Sequence, residues 1–141
     1  MTALAYAVKL LAGRDKSELA LRTALEKKSY PSPEIDEAIT RVKALGYLNE
    51  ARFAEAKIKE ALRLNRTPLD IRNRLERAGL RADLITTILD RELALTGFNP
   101  LTAARALLQK KKITGAKAAR FLAARGFDEE IIRTLLPSIE D

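Results

Sequence analysis

The chain has 141 residues, 26 of them Lys or Arg and 19 Asp or Glu, for a formal net charge of +7, and it contains no Cys, His or Trp. That excludes disulfides, thiolate or imidazole metal sites and His-dependent catalysis, and it leaves the charge almost flat between about pH 5 and 8. A hydrophobic share of 47% fits one domain of ordinary size or a few small modules in a row, and the excess of base favours an anionic partner. The start, Met1-Thr2-Ala3-Leu4, lacks the basic region of a signal peptide, and no stretch approaches about 18 apolar residues. The expectation is a soluble, cytoplasmic chain that does not enter a membrane.

Helix punctuation runs the length of the chain. Ser32-Pro33, Thr67-Pro68 and Asn99-Pro100 each place a capping side chain before a proline suited to the first helical position. Ser17, Asn49, Thr114 and Asp128 are further N-cap candidates, and Thr67 with Asp70 has capping-box spacing. Gly46, Gly79, Gly97 and Gly126 sit where helices should stop. Between these marks apolar residues recur three and four apart, which predicts helices near 3–14, 17–28, 33–45, 50–64, 68–78, 82–95, 100–112, 115–125 and 129–136.

These helices fall into three sets of three. With Ser17, Thr67 and Thr114 superposed, Leu21 meets Ile71 and Ala118, and Leu25 meets Leu75 and Leu122. Tyr30 then meets Leu80 and Phe127, Ile35 meets Ile85 and Ile132, and Ile39 meets Leu89 and Leu136. Gly79 and Gly126 also coincide, whereas the first copy has Ser29 there. A repeat kept in register this long predicts an all-α fold. It would be an elongated tandem array of three three-helix modules, over 1–48, 49–97 and 98–141, with the second and third helices of each spaced as a helix-turn-helix.

A helix-turn-helix invites a DNA-reading third helix, but the charges oppose it. Acids outnumber bases three to two across 33–45, three to one across 82–95 and five to one across 128–141. Such helices would be repelled by phosphates. The bases lie instead on first and second helices and their junctions: Arg14, Lys16, Arg22, Lys27 and Lys28; Arg63, Arg66, Arg72, Arg74 and Arg77; Lys110, Lys111, Lys112 and Lys117, with Arg120 and Arg125. Each alone reads equally as a solvated helix face; their recurrence at equivalent places points to an anionic partner. No catalytic set emerges. The paired carboxylates Asp36-Glu37 and Glu129-Glu130 sit in first helical turns, and the glycines are spaced as helix stops. Tyr6, Tyr30 and Tyr47 read as core residues.

The stretch Ala44-Leu45-Gly46-Tyr47-Leu48-Asn49-Glu50-Ala51-Arg52-Phe53-Ala54 resembles the RecX family of recombination regulators. So do Ala7-Val8-Lys9-Leu10-Leu11-Ala12, Ser17-Glu18-Leu19-Ala20-Leu21-Arg22 and the run from Ile71 to Leu80. In this motif Gly46, Tyr47, Leu48, Arg52 and Phe53 carry structural roles, with Tyr47 and Leu48 expected to plug the core between modules. The chain departs from the family pattern at Asn49-Glu50, Ala78 and Ser29. The resemblance implies a non-enzymatic regulator, without cofactor or metal, that binds RecA filaments on single-stranded DNA. There it modulates, usually inhibits, recombinase activity in recombination, repair and the SOS response. A monomer is expected. The rival expectations are weak direct binding to DNA and a helical-repeat adaptor for another acidic protein.

Overall fold

The computed structural model describes residues 1–136. Residues 137–141 of the predicted third module, including the acids Glu140 and Asp141 counted above, lie outside the described residues. Among the described residues every regular element is helical: α1 (Ala3–Gly13), α2 (Glu18–Lys27), α3 (Ser32–Ala44), α4 (Glu50–Arg63), α5 (Pro68–Arg77), α6 (Ala82–Thr96), α7 (Pro100–Lys111), α8 (Gly115–Ala124) and α9 (Glu129–Leu135).

Side-chain caps start most of these helices. Ser17 accepts from the Ala20 N–H at 3.1 Å, Asn49 from Arg52 at 3.0 Å, and Thr67 from Asp70 at 3.1 Å. Asn99 accepts from Leu101 and Thr102. Two expectations need correction. Ser32 is the first residue of α3 and Pro31 occupies the cap, because proline already holds the extended backbone that a cap requires. Thr114 and Asp128 occupy cap positions, yet neither side chain accepts a capping hydrogen bond.

Left-handed residues stop the helices, as at Gly46 (φ +77°), Gly79 (+88°) and Gly126 (+92°), with Ser29 (+64°) in the same conformation in the first copy. After each such residue the chain turns back on the helix it has just left. The N–H groups of Tyr30, Leu80 and Phe127 donate to the carbonyls of Leu25, Leu75 and Leu122, which places the following apolar side chain over the core. At the Gly46 turn both Tyr47 and Leu48 donate to the Val42 carbonyl. Leu48 is thereby buried and Tyr47 is 46% exposed, so only Leu48 serves as the plug. Tyr6 and Tyr30 are half-buried, their ring centroids 6.3 Å apart, and the Tyr30 hydroxyl donates to the Met1 carbonyl.

The residues aligned by the repeat are the buried ones. Leu21, Ile71 and Ala118 are fully enclosed, as are Leu25, Leu75 and Leu122. The α1–α3 core comprises Ala3, Ala7, Leu11, Leu21, Leu25, Ile35, Ala38, Ile39, Val42 and Leu48. The α7–α9 core is smaller, with Ala103, Ala104, Leu107, Leu122 and Phe127 buried and Ile132 and Leu136 only partly covered. The chain gathers into two compact units. One comprises Met1–Ala56 with Leu75–Ile88, and the other Lys57–Arg74 with the residues from Leu89 on.

Each unit contains the same seat. In the first, Leu19 of α2 lies against Gly79, where a Cβ would fall 3.2 Å from the leucine Cβ and Cδ2. In the second, Leu69 of α5 lies against Gly126, where a Cβ would fall 3.8 Å from Leu69 and 2.7 Å from Thr67 Oγ1. That hydroxyl cannot easily yield, because it caps α5 and donates to the Arg125 carbonyl at 2.9 Å. Gly126→Ala is therefore expected to cost about 2–4 kcal/mol in urea unfolding. Gly46→Ala, with open space around it, should cost only the left-handed penalty of about 1–2 kcal/mol. Thr67→Val should lose about 2 kcal/mol from a cap and a buried hydrogen bond, whereas Thr114→Val should stay within about 0.5 kcal/mol of the parent.

Candidate partner-binding surface

Half of the fourteen candidate bases named below sit at or just past helix C-termini, where the macrodipole favours cations: Lys27 and Lys28 at α2, Arg63 at α4, Arg77 at α5, and Lys110, Lys111 and Lys112 at α7. In the first unit Arg14, Lys27, Lys28 and Arg77 are exposed and Lys16 is half-buried. Lys28 stands 5.4 Å from the Tyr6 ring. Arg22 pairs with Asp36 at 2.9 Å and lines a cleft of about 690 Å³, with Lys43 and Arg81, over Leu19, Leu48 and Leu84. In the second unit Arg63, Arg74, Lys110, Lys111, Lys112 and Lys117 are exposed, and Arg66 and Arg72 half-buried. Lys111 and Arg125 flank the Phe121 ring at 5.8 and 4.8 Å.

Several of these bases are engaged within the chain. Asp70 Oδ2 accepts from both Arg66 and Arg74 at 3.1 Å, so one carboxylate holds two guanidinium groups. Arg52, in the glycine-tyrosine-leucine motif, has a structural task. Its Nε donates to both carboxylate oxygens of Asp15, at 2.9 and 3.0 Å, and its terminal nitrogen reaches the carbonyls of Gly46 and Tyr47. The hydrogen bond to Asp15, with that carboxylate's charge, raises the guanidinium pKa further against a smaller desolvation. Phe53 is half-buried beside it in sequence. The motif thus fastens the end of α3 and the start of α4 to the α1–α2 loop.

The acids of the third helices are also less available than their number implies. Glu34 Oε2 accepts from the Ala3 N–H at 2.9 Å, Asp36 holds Arg22, and Glu129 holds Arg133. Glu92 is 1% exposed, and its Oε2 has no hydrogen-bond partner among the described residues; Lys59 stands 3.9 Å from its Oε1. Glu92 is one of the three acids counted across 82–95. The spacing Ile85, Leu89, Glu92, equivalent to Ile35, Ile39, Val42, was the signal that it lies on the apolar stripe. Among the described residues no group of His, Cys, Asp or Glu is arranged to hold a metal ion, and no helix is long and apolar enough to cross a membrane.

Taken together, the described residues form an all-α protein of helix-turn-helix-like units, rich in exposed bases. A family profile described as the first three-helix domain of RecX matches residues 3–41. The regulatory protein RecX of Deinococcus radiodurans is 37% identical over 133 residues, which cover 92% of this chain and 64% of that protein. Regulatory protein RecX of Trichlorobacter lovleyi is 32% identical, over 92% of this chain and 90% of the relative. The crystal structure of RecX from Lactobacillus salivarius matches with a TM-score of 0.69 at 18% identity, over 98% of this chain and 94% of that one. A second RecX crystal structure matches with a TM-score of 0.76 at 13% identity, over 96% of this chain and 70% of that one. The chain belongs to the RecX family of regulatory proteins.

If Asp70 restrains Arg66 and Arg74, Asp70→Asn should elute from heparin at higher salt than Asp90→Asn, which changes the net charge equally. Stability should change by less than about 1 kcal/mol. Equal elution of the two variants would show that Asp70 does not restrain them.

Proposed function

We propose that this chain binds the RecA filament on single-stranded DNA and modulates it toward inhibition, lowering ATPase and strand-exchange activity in DNA recombination and repair. Membership of the RecX family carries this reading. We further read the chain as three modules, over 1–48, 49–97 and 98–141, acting in the cytoplasm as a monomer. Each module offers bases to a successive protomer of the filament, and modest contacts reinforce one another through effective concentration. Regulation of this kind requires occupancy alone: a bound chain excludes the partner duplex or biases the filament against its active state.

The bases assigned to this contact are Arg14, Lys16, Arg22, Lys27, Lys28, Arg63, Arg66, Arg72, Arg74, Arg77, Lys110, Lys111, Lys112 and Lys117. Those already paired with an acid must exchange that partner for a filament carboxylate or phosphate, so the exposed Arg14 and Arg63 should contribute most per residue. A second reading, weak non-specific binding to DNA itself, gains from the engagement of Glu34, Asp36 and Glu129 within the fold, which reduces the repulsion their helices offer to phosphates.

The test is a titration of purified protein into RecA ATPase and strand-exchange assays. The parent chain should inhibit, and Arg14→Glu/Arg63→Glu should need at least about tenfold more protein for the same effect, equivalent to about 1.4 kcal/mol, with unchanged helicity. A parent chain without effect on RecA would overturn the proposal. Equal potency of parent and variant would remove these two arginines from the contact. Binding to DNA lacking RecA that falls steeply between about 50 and 200 mM salt would favour the second reading.

A further inference from the structure

The repeat contains two filled joints and the two halves of a third. In each filled joint, the second helix of one copy supplies a leucine that seats against the left-handed turn of the next: Leu19 on Gly79, and Leu69 on Gly126. The same alignment puts Ala116 at the leucine position of the third copy and Ser29 at the turn position of the first. These halves have no counterpart within the array. Ser17 and Thr67, which begin the two occupied helices, are buried, whereas their equivalent Thr114 is exposed; the seated Leu19 and Leu69 keep 49% and 57% of their surface exposed, and Ala116 is exposed too. Ser29 is exposed as well, and it holds the left-handed conformation of the glycines it replaces.

The two unfilled halves differ from the filled joints in compensating ways. A turn that carries a Cβ would crowd a leucine lying 3.2 Å from that position, as Leu19 does at Gly79. Against the methyl of Ala116 the same Cβ has room. A large residue on glycine in the filled joints becomes a small residue facing serine, which removes that crowding and leaves a smaller contact.

We propose that the Thr114–Ala116 face of α8 receives the Ser29 turn of a second copy of this chain, so that copies join head to tail. Charge holds the joint open at low ionic strength. Lys27 and Lys28 precede Ser29, and Lys110, Lys111, Lys112 and Lys117 surround Thr114 and Ala116 in sequence. In the filled joints an acid stands beside the seated leucine, Glu18 next to Leu19 and Asp70 next to Leu69. The third copy has Lys117 where the second has Asp70. Screening of the lysines therefore permits docking, and association strengthens as salt rises, opposite to the trend for charge-driven binding. A contact of this type does not close on itself and builds open chains. The inference rests on the repeat alone and is independent of the RecA reading.

Sedimentation of the full chain tests it. The apparent mass should rise about twofold or more between about 0.05 and 0.5 M salt, where the screening length falls to about 4 Å. Ala116→Leu should abolish that rise, and Ser29→Gly with Ala116→Leu, which recreates the leucine-on-glycine pair, should restore it. Circular dichroism confirms that the variants keep their helicity. Lys110→Glu/Lys111→Glu/Lys112→Glu, by placing acids opposite Lys27 and Lys28, should associate already at low salt. A constant apparent mass for the parent at every salt concentration overturns the proposal. So does a rise that Ala116→Leu leaves intact, or one that the double variant fails to restore.

Discussion

The structure depends on one local device, a left-handed residue at a helix end followed by an apolar side chain that folds back over the helix just completed. Ser29-Tyr30, Gly79-Leu80 and Gly126-Phe127 share it, and Gly46 with Leu48 uses a longer form. Each turn satisfies late carbonyls of its helix and aims the next helix steeply across the last. Short helices of 7 to 15 residues are marginal by themselves, so burying that plug is what gives them a fixed partner.

Charge is organised around the same helices mostly outside their packed faces, with Arg52–Asp15, Glu34 and the buried Glu92 as the exceptions. Cations at helix C-termini and acids in first turns both complement the macrodipole, which accounts for much of the sequence pattern before any partner is invoked. The engaged pairs show a division of labour. Arg52 is committed to holding Asp15 and the Gly46–Tyr47 turn, whereas Arg14, Arg63 and the lysines at the end of α7 extend into solvent. The same residue type thus serves as an internal tie at Arg52 and as an exposed charge at Arg14 and Arg63.

Helix positions and the buried faces were legible because caps, stops and apolar spacing agree along most of the chain. Thr67, Asn99, Gly79 and Gly126 each did what their type and place predict. The side chains at the turns were less legible. Nothing in sequence spacing distinguishes Tyr47, which is 46% exposed, from Leu48, which is buried, since both come just after the Gly46 stop and only the backbone direction decides. The pairing of Asp15 with Arg52 was hidden for another reason: the two are 37 positions apart, and no local rule connects them. The charge count across 82–95 gave no weight to the place of Glu92 on an apolar stripe, where it is buried.

Thr67 and Leu69 together form a joint of very few atoms, and the distance from Ser17 to its equivalent Thr67 is 50 residues, against 47 from Thr67 to Thr114. A duplicated stretch of that size carries both a seat and the turn that fills the preceding one. The same two-part contact, a leucine on a left-handed glycine, recurs at Leu19–Gly79 and Leu69–Gly126 although the spacing of the two differs by three residues.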